Sequence, residues 1–160
     1  MDGETEENIY KPTTVTEGEF AGWQAWNGFD PFEDLTGQFV FRVEDDGSVR
    51  CAFRAAAKHM NGGGAMHGGC MLTFADFSLF CIGREALKDS NSVTVSLNGE
   101  FIGPAFEGDL IEARGERLLP VTVRNVEAPL AGKGGVQGSM LRVAPGAEHD
   151  AQVFKWLAAL

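Results

Sequence analysis

Residues 71–88 read MLTFADFSLFCIGREALK and contain no proline. At 3.6 residues per turn this is a helix of about five turns. Up to Gly83 it is apolar almost all the way round, so no face is left for water and the rest of the chain must wrap around it. After Asp89-Ser90-Asn91 the pattern changes to β chemistry over 92–103, 109–118, 121–128 and 138–144, with Pro104 and Pro120 as breaks. Ahead of the helix, residues 38–44 and 48–55 alternate apolar and polar around Asp45-Asp46-Gly47, which predicts a β-hairpin. One helix, preceded by two strands and followed by about four, is an α+β chain with one antiparallel sheet around one helix.

A length of 160 residues suits a single domain, and 44% apolar composition supplies a core without disulfide or metal. Residues 1–17 are polar and acidic and read as a loose N-terminal arm, with 18–160 as the folded domain. Phe20, Trp23 and Trp26 stand at helical spacing before Asn27-Gly28, which predicts a short helix over 18–26. At the other end, Ala147, Ala151, Phe154 and Ala158 form a stripe that predicts a closing helix over 147–160.

The net charge is −10, and its distribution is uneven: residues 1–48 hold 12 acids and 2 bases, and the remainder holds 11 of each. That excludes the basic face of a nucleic-acid binder and disfavours an anionic membrane surface. Cys51, Cys70 and Cys81 form no CxxC pair and suit a reducing compartment as buried thiols. The acidic N-terminus lacks the basic and apolar blocks of a secretory signal, so the expected location is cytoplasmic.

Asp76 is the sharpest chemical signal, because a carboxylate among Phe74, Ala75, Phe77, Leu79 and Phe80 carries a heavy desolvation cost. His67-Gly68-Gly69 lies at the start of the same helix, where unpaired N–H groups and the positive end of the dipole collect. Glycines there let a ligand oxygen approach the donors, as for a phosphate or an oxyanion. His59 and His67 have no third ligand nearby, so no metal site is expected, and no serine stands in a GxSxG context.

Taken together, NGGGAMHGG at 61–69, Ala75-Asp76 on the helix, and SVTVSLNGEFIGPAFEGD at 92–109 resemble the hotdog-fold acyl-CoA thioesterases of the PaaI type. The resemblance spans residues 28–117 and implies a hotdog fold, a sheet wrapped around a long central helix. It implies that Asp76 is nucleophile or general base, that the Gly68 N–H polarises the thioester carbonyl, and that Asn61 positions the carbonyl or the water. It also implies that Thr94 orients the attacking water where relatives carry serine, and that His67 and Gly69 sit at the substrate, with His67 bracing the loop. No cofactor is implied beyond the coenzyme A of the substrate itself, and the functional unit is a homodimer or a dimer of dimers.

Helix geometry adds that Gly68 and Asp76, eight residues apart, are separated by about 12 Å. One thioester carbon cannot easily touch both, so a shared carbonyl requires the two groups to come from different copies of the chain. The expectation is therefore an intersubunit acyl-CoA thioesterase. The alternatives are a hotdog protein that binds acyl-CoA without cleaving it and a hotdog hydratase or dehydratase; Asp76 argues against the first, and the absence of the His/Asp contexts of such relatives against the second.

Overall fold

The computed structural model describes residues 11–87, 94, 96–101, 103–117, 139–145 and 154–159. In chain order the elements are β1 (Thr13–Thr14), β2 (Gln24–Ala25), α1 (Pro31–Thr36), β3 (Val40–Val43), β4 (Val49–Arg54), a 3-10 turn at Ala57–His59, α2 (Gly68–Leu87), β5 (Ser96–Glu100), β6 (Leu110–Arg117), β7 (Ser139–Pro145) and β8 (Phe154–Ala159). The described strands form one sheet in the order β1-β2-β3-β4-β6-β7-β8-β5, antiparallel throughout. α2 lies against β4, β5, β6 and β7, which is the hotdog arrangement.

The alternation read from the sequence sorts the hairpin residues onto two faces. Phe39, Phe41, Val49, Cys51, Phe53 and Ala55 meet Met71, Phe74, Ala75, Phe77 and Cys81 of the helix. Val40 and Ala52, one residue out of step, point to the opposite face and pack with Val15 and Ala25. The helix-side core is aromatic: Phe53 and Phe74 have ring centroids 4.7 Å apart, Phe39 and Phe53 4.9 Å, and Trp26 stacks on Phe41 at 4.7 Å. Fully burying each such side chain is worth roughly 1.5–3 kcal/mol, so this cluster holds α2 on the sheet.

Three expectations need correction. Residues 18–26 are not helical. Gly18 and Gly22 take φ of +78° and +87°, which a right-handed helix cannot hold, and the chain runs extended through β2. A spacing of three residues puts two side chains on one face of a helix but on opposite faces of an extended chain. Accordingly Trp26 stacks in the helix-side core, while Trp23 packs on the outer face with the Arg42 guanidinium 4.7 Å from its ring. The closing helix is also overturned: Phe154–Ala159 is β8, paired to β7 on one side and β5 on the other. Within the stretch read as a loose arm, Thr13–Thr14 pairs with β2 and Val15 is buried. The strand expected over 121–128 and residues 1–10 lie outside the described residues.

Of the cysteines, Cys51 and Cys81 are buried and Cys70 half-buried, all as free thiols. Among the described residues, no helix is long and apolar enough to cross a membrane.

Candidate active site

The loop leading into α2 is closed by short backbone pairings. The His67 N–H donates to the His59 carbonyl at 2.8 Å, the Asn61 N–H donates to the Ala65 carbonyl at 2.7 Å, and Met60 and Met66 bridge between them. Asn61 therefore stands at the neck of the loop. Its side-chain oxygen accepts the Gly63 N–H at 2.8 Å, so its amide group is what remains to donate.

His67 folds back over its own turn, and its Nδ1 accepts the Gly69 N–H at 2.9 Å. A Cβ at position 69 would lie 2.9 Å from that nitrogen, so only glycine admits the ring. The Gly69 donor is thus engaged with His67. Gly68 is the first residue of α2, and its N–H is one of the four that a helix cannot satisfy itself. The helix dipole adds partial positive charge there. The Phe101 ring closes over this residue, 3.2 Å from where a Cβ would stand.

Two turns further along α2, Asp76 is half-buried, and the Thr94 hydroxyl donates to its Oδ1. Burial holds its carboxyl above the usual carboxylate range, the Thr94 hydrogen bond pulls the other way, and the charge of Asp30 adds to the rise. A carboxylate so placed is a stronger base than one in water.

α1 brings further carboxylates to this place. Asp30 caps it, accepting from the N–H groups of Phe32 and Glu33 at 3.0 Å, and Pro31 occupies its first turn. Burial pushes Glu33 up to about 8, with Asp30, Asp76 and Asp34 adding repulsion. Glu33 escaped the sequence reading. Asp30-Pro31 with acids in the following turn is a helix-start signal, but six residues show no stripe, and only the packing of α1 against α2 brings Glu33 near Asp76.

A consequence for stability follows. The folded pKa of Glu33, about 8, lies above its ordinary value of 4.5, so its contribution is present below 4.5 and is lost as pH rises through 8. The melting temperature is expected to decline across that window, and Glu33→Gln to flatten the decline. An unchanged slope in a thermal-melt series from pH 4.5 to 8.5 would show that Glu33 is solvated like an ordinary surface carboxylate.

Between α1 and the start of α2 lies a cavity of about 340 Å³, with Phe32, Leu35, His59, His67, Gly69 and Thr73 in its lining. Phe32 and Leu35 are exposed apolar side chains at its mouth. Among the described residues, no three His, Cys, Asp or Glu side chains converge as a metal site would require.

Residues 63–117 match the family model described as the thioesterase superfamily. A candidate esterase of Pseudomonas aeruginosa is 35% identical over 92 residues, covering 57% of this chain and 69% of its own. The chain belongs to the thioesterase superfamily. Its fold agrees with solved structures of that superfamily, beginning with zebrafish thioesterase superfamily member 2, with a TM-score of 0.62 at 17% identity over 81% of this chain and 86% of that one. A mutant of the phenylacetic acid degradation protein PaaI from Thermus thermophilus gives 0.54 at 21%, over 82% and 100%. A hypothetical thioesterase from Streptococcus pneumoniae, solved with coenzyme A, gives 0.55 at 15%, over 75% and 84%. The chain shares the hotdog fold of these structures.

The thioesterase-superfamily match includes Gly68, Asp76 and Thr94, and Asn61 stands two residues ahead of it. Within one chain the structure joins Asp76 to Thr94, gathers His67, Gly68 and Gly69 at the first turn of α2, and ties Asn61 into the loop that leads to it. It leaves the two groups about 12 Å apart along the helix.

Proposed function

We propose that this protein is an acyl-CoA thioesterase whose sites each combine residues of two subunits. The observation that carries the reading is Asp76, a half-buried carboxylate in the apolar stretch of α2, oriented by the Thr94 hydroxyl and with its basicity raised by burial. In this reading the Gly68 N–H holds the thioester carbonyl oxygen as negative charge develops on it, and Asn61 steadies the carbonyl or the water. As general base, Asp76 takes a proton from the water that adds to the carbonyl carbon and returns it to the sulfur as the C–S bond breaks. As nucleophile, it forms an anhydride as the thiolate leaves, water then cleaves that anhydride to the free acid, and a proton from the water gives coenzyme A as its thiol. Thr94 fixes the carboxylate, His67 braces the loop through the Gly69 N–H, and the cavity beside Gly69 receives the acyl group.

The second subunit is argued from the helix itself. In the middle of α2, Leu72, Thr73, Asp76, Phe80 and Gly83 recur at helical spacing and are only half-buried, whereas Phe74, Ala75, Phe77, Ser78, Leu79 and Cys81 between them are buried. That open stripe runs through Asp76, and covering it with the same stripe of a second copy brings Asp76 toward the partner's helix start. The fold shared with a Streptococcus pneumoniae thioesterase solved with coenzyme A supports a coenzyme A thioester as substrate.

A panel of aliphatic and aromatic acyl-CoAs, followed by release of free thiol, tests the reading. At least one member should turn over at a rate well above spontaneous hydrolysis. Tight binding of acyl-CoA with no thiol release across the panel would instead identify a binding module on this fold.

A further inference from the structure

Asn61, Gly68 and Asp76 carry the chemistry proposed above, and His59, in the lining of the cavity, has no step in it. Yet His59 is 5% exposed, and with Ser78 it is one of two buried polar or charged side chains among the described residues. Both ring nitrogens are engaged. The Ala56 N–H donates to Nδ1 at 2.9 Å, so Nδ1 carries no proton; Nε2 carries it and donates to the Thr36 carbonyl at the end of α1. The main chain of the same residue is tied in as well, its carbonyl accepting the His67 N–H at 2.8 Å and its own N–H donating to Ala56 at 2.9 Å. The Phe53 ring packs edge-on against the imidazole at 5.2 Å. A Cβ at position 37, the residue after α1, would lie 2.9 Å from Nε2, so the glycine there lets the ring close on the helix end.

One side chain thus connects the end of α1, the turn at 57–59 and the residue just ahead of Gly68. The loop above it is closed by the Met60–Met66 bridge and the Asn61–Ala65 pairing, so anchoring its base fixes where Asn61 and Gly68 stand relative to each other. We propose that His59 is a positioning residue of the hydrolytic site, a neutral imidazole latch that locks the loop carrying Asn61 and the first turn of α2 onto the end of α1. The proposal rests on the thioesterase reading for its catalytic consequence, but the latch itself is a property of the fold.

The latch is sensitive to acid. Protonation turns Nδ1 from acceptor to donor, and it then meets the Ala56 N–H head-on. Burial opposes the imidazolium, the Thr36 carbonyl favours it, and the charge of neighbouring Lys58 opposes it; the balance lowers the pKa below the ordinary 6.5. The titratable groups that face the ring are Lys58 on its own turn and His67 and Cys70 across the cavity; α1 presents the Thr36 carbonyl and β4 the Phe53 ring. With the folded pKa depressed, the stabilisation is full above 6.5 and is lost as pH falls through the folded value.

The test uses the full chain and three variants. His59→Leu removes both side-chain bonds, His59→Asn keeps an acceptor at the place of Nδ1, and His59→Gln keeps a donor at the place of Nε2. On the best substrate of the panel, His59→Leu should lower kcat by on the order of 10-fold to 10²-fold with a smaller change in KM, and the two amide variants should each recover part of the loss. Independently of activity, nitrogen-15 spectra of the wild-type protein should show His59 as the Nε2–H tautomer. The backbone amides of Asn61 and Gly68 should then shift with pH at the same midpoint as the His59 ring, and those shifts should vanish in His59→Gln. An Nδ1–H tautomer, or a His59 titration that leaves the Asn61 and Gly68 amides still, overturns the latch. A wild-type protein that cleaves no acyl-CoA but shows the coupled titration would instead overturn the thioesterase reading and support the latch.

Discussion

Replacing Asp76 by Asn is expected to lower kcat by at least about 10²-fold, the scale on which a positioned base or nucleophile contributes, while making the protein more resistant to heat at neutral pH. The two effects have one cause. Burial raises the folded pKa of Asp76 above its ordinary value of 3.8, so its contribution to stability is present below 3.8 and is lost as pH rises through the folded value. Once ionised, the carboxylate is therefore a burden on the fold, and Asn carries no charge to desolvate. Its side-chain oxygen still accepts from Thr94, and the repulsion of the Asp76 charge on Glu33 is relieved. The gain in melting temperature should shrink as pH is lowered through the folded value, below which the wild-type carboxyl is protonated and resembles the amide. Near-wild-type turnover by a folded Asp76→Asn protein would remove Asp76 from the mechanism, and a lower melting temperature at pH 7 would mean that its charge is compensated by a group other than Thr94.

The second large effect is a rescue. Asp76→Ala and Asn61→Ala should each be nearly inactive alone and should regain activity when unfolded and refolded together at equal amounts. Random pairing makes about half of the dimers hybrids, and each hybrid holds one site with both defects and one with neither, so about a quarter of all sites are intact. Regain of roughly a quarter of wild-type activity is the expected result. The physical basis is the rigid separation of Gly68 and Asp76, about 12 Å along a helix that cannot bend them onto one carbonyl. No regain, with hybrids demonstrated by mass spectrometry of differently tagged chains, would mean that each site is complete within one subunit.

Much of this arrangement was legible in local pattern. The apolar run at 71–88 announced α2, because a helix without a polar face must be enclosed, and the observed helix begins three residues earlier, at Gly68. The alternation at 38–44 and 48–55 announced β3 and β4, and the odd carboxylate in an apolar helix announced Asp76. His67-Gly68-Gly69 stood out as side-chain-free backbone at a helix start, whereas Asn61 was singled out only by the resemblance of NGGGAMHGG to the PaaI-type thioesterases. Each of these signals concerns residues within a few positions of one another, where backbone geometry alone decides which side chains share a face.

The tertiary structure decided the rest. Trp23 and Trp26 read as one helical stripe, but the sheet required an extended chain there and sent the two rings to opposite faces. Residues 154–159 carried a helical stripe, yet β7 and β5 both offered unpaired backbone to the same segment, and pairing on two sides outweighed a weak local preference. Glu33 comes to Asp76 across 43 positions of sequence, and the His59 ring reaches the Thr36 carbonyl across 23, because α1 packs where it does. Local periodicity determines which residues share a face of one element. Which elements then face each other, and hence which charges repel and which imidazole is buried with both nitrogens engaged, depends on long-range packing that no window of the sequence contains.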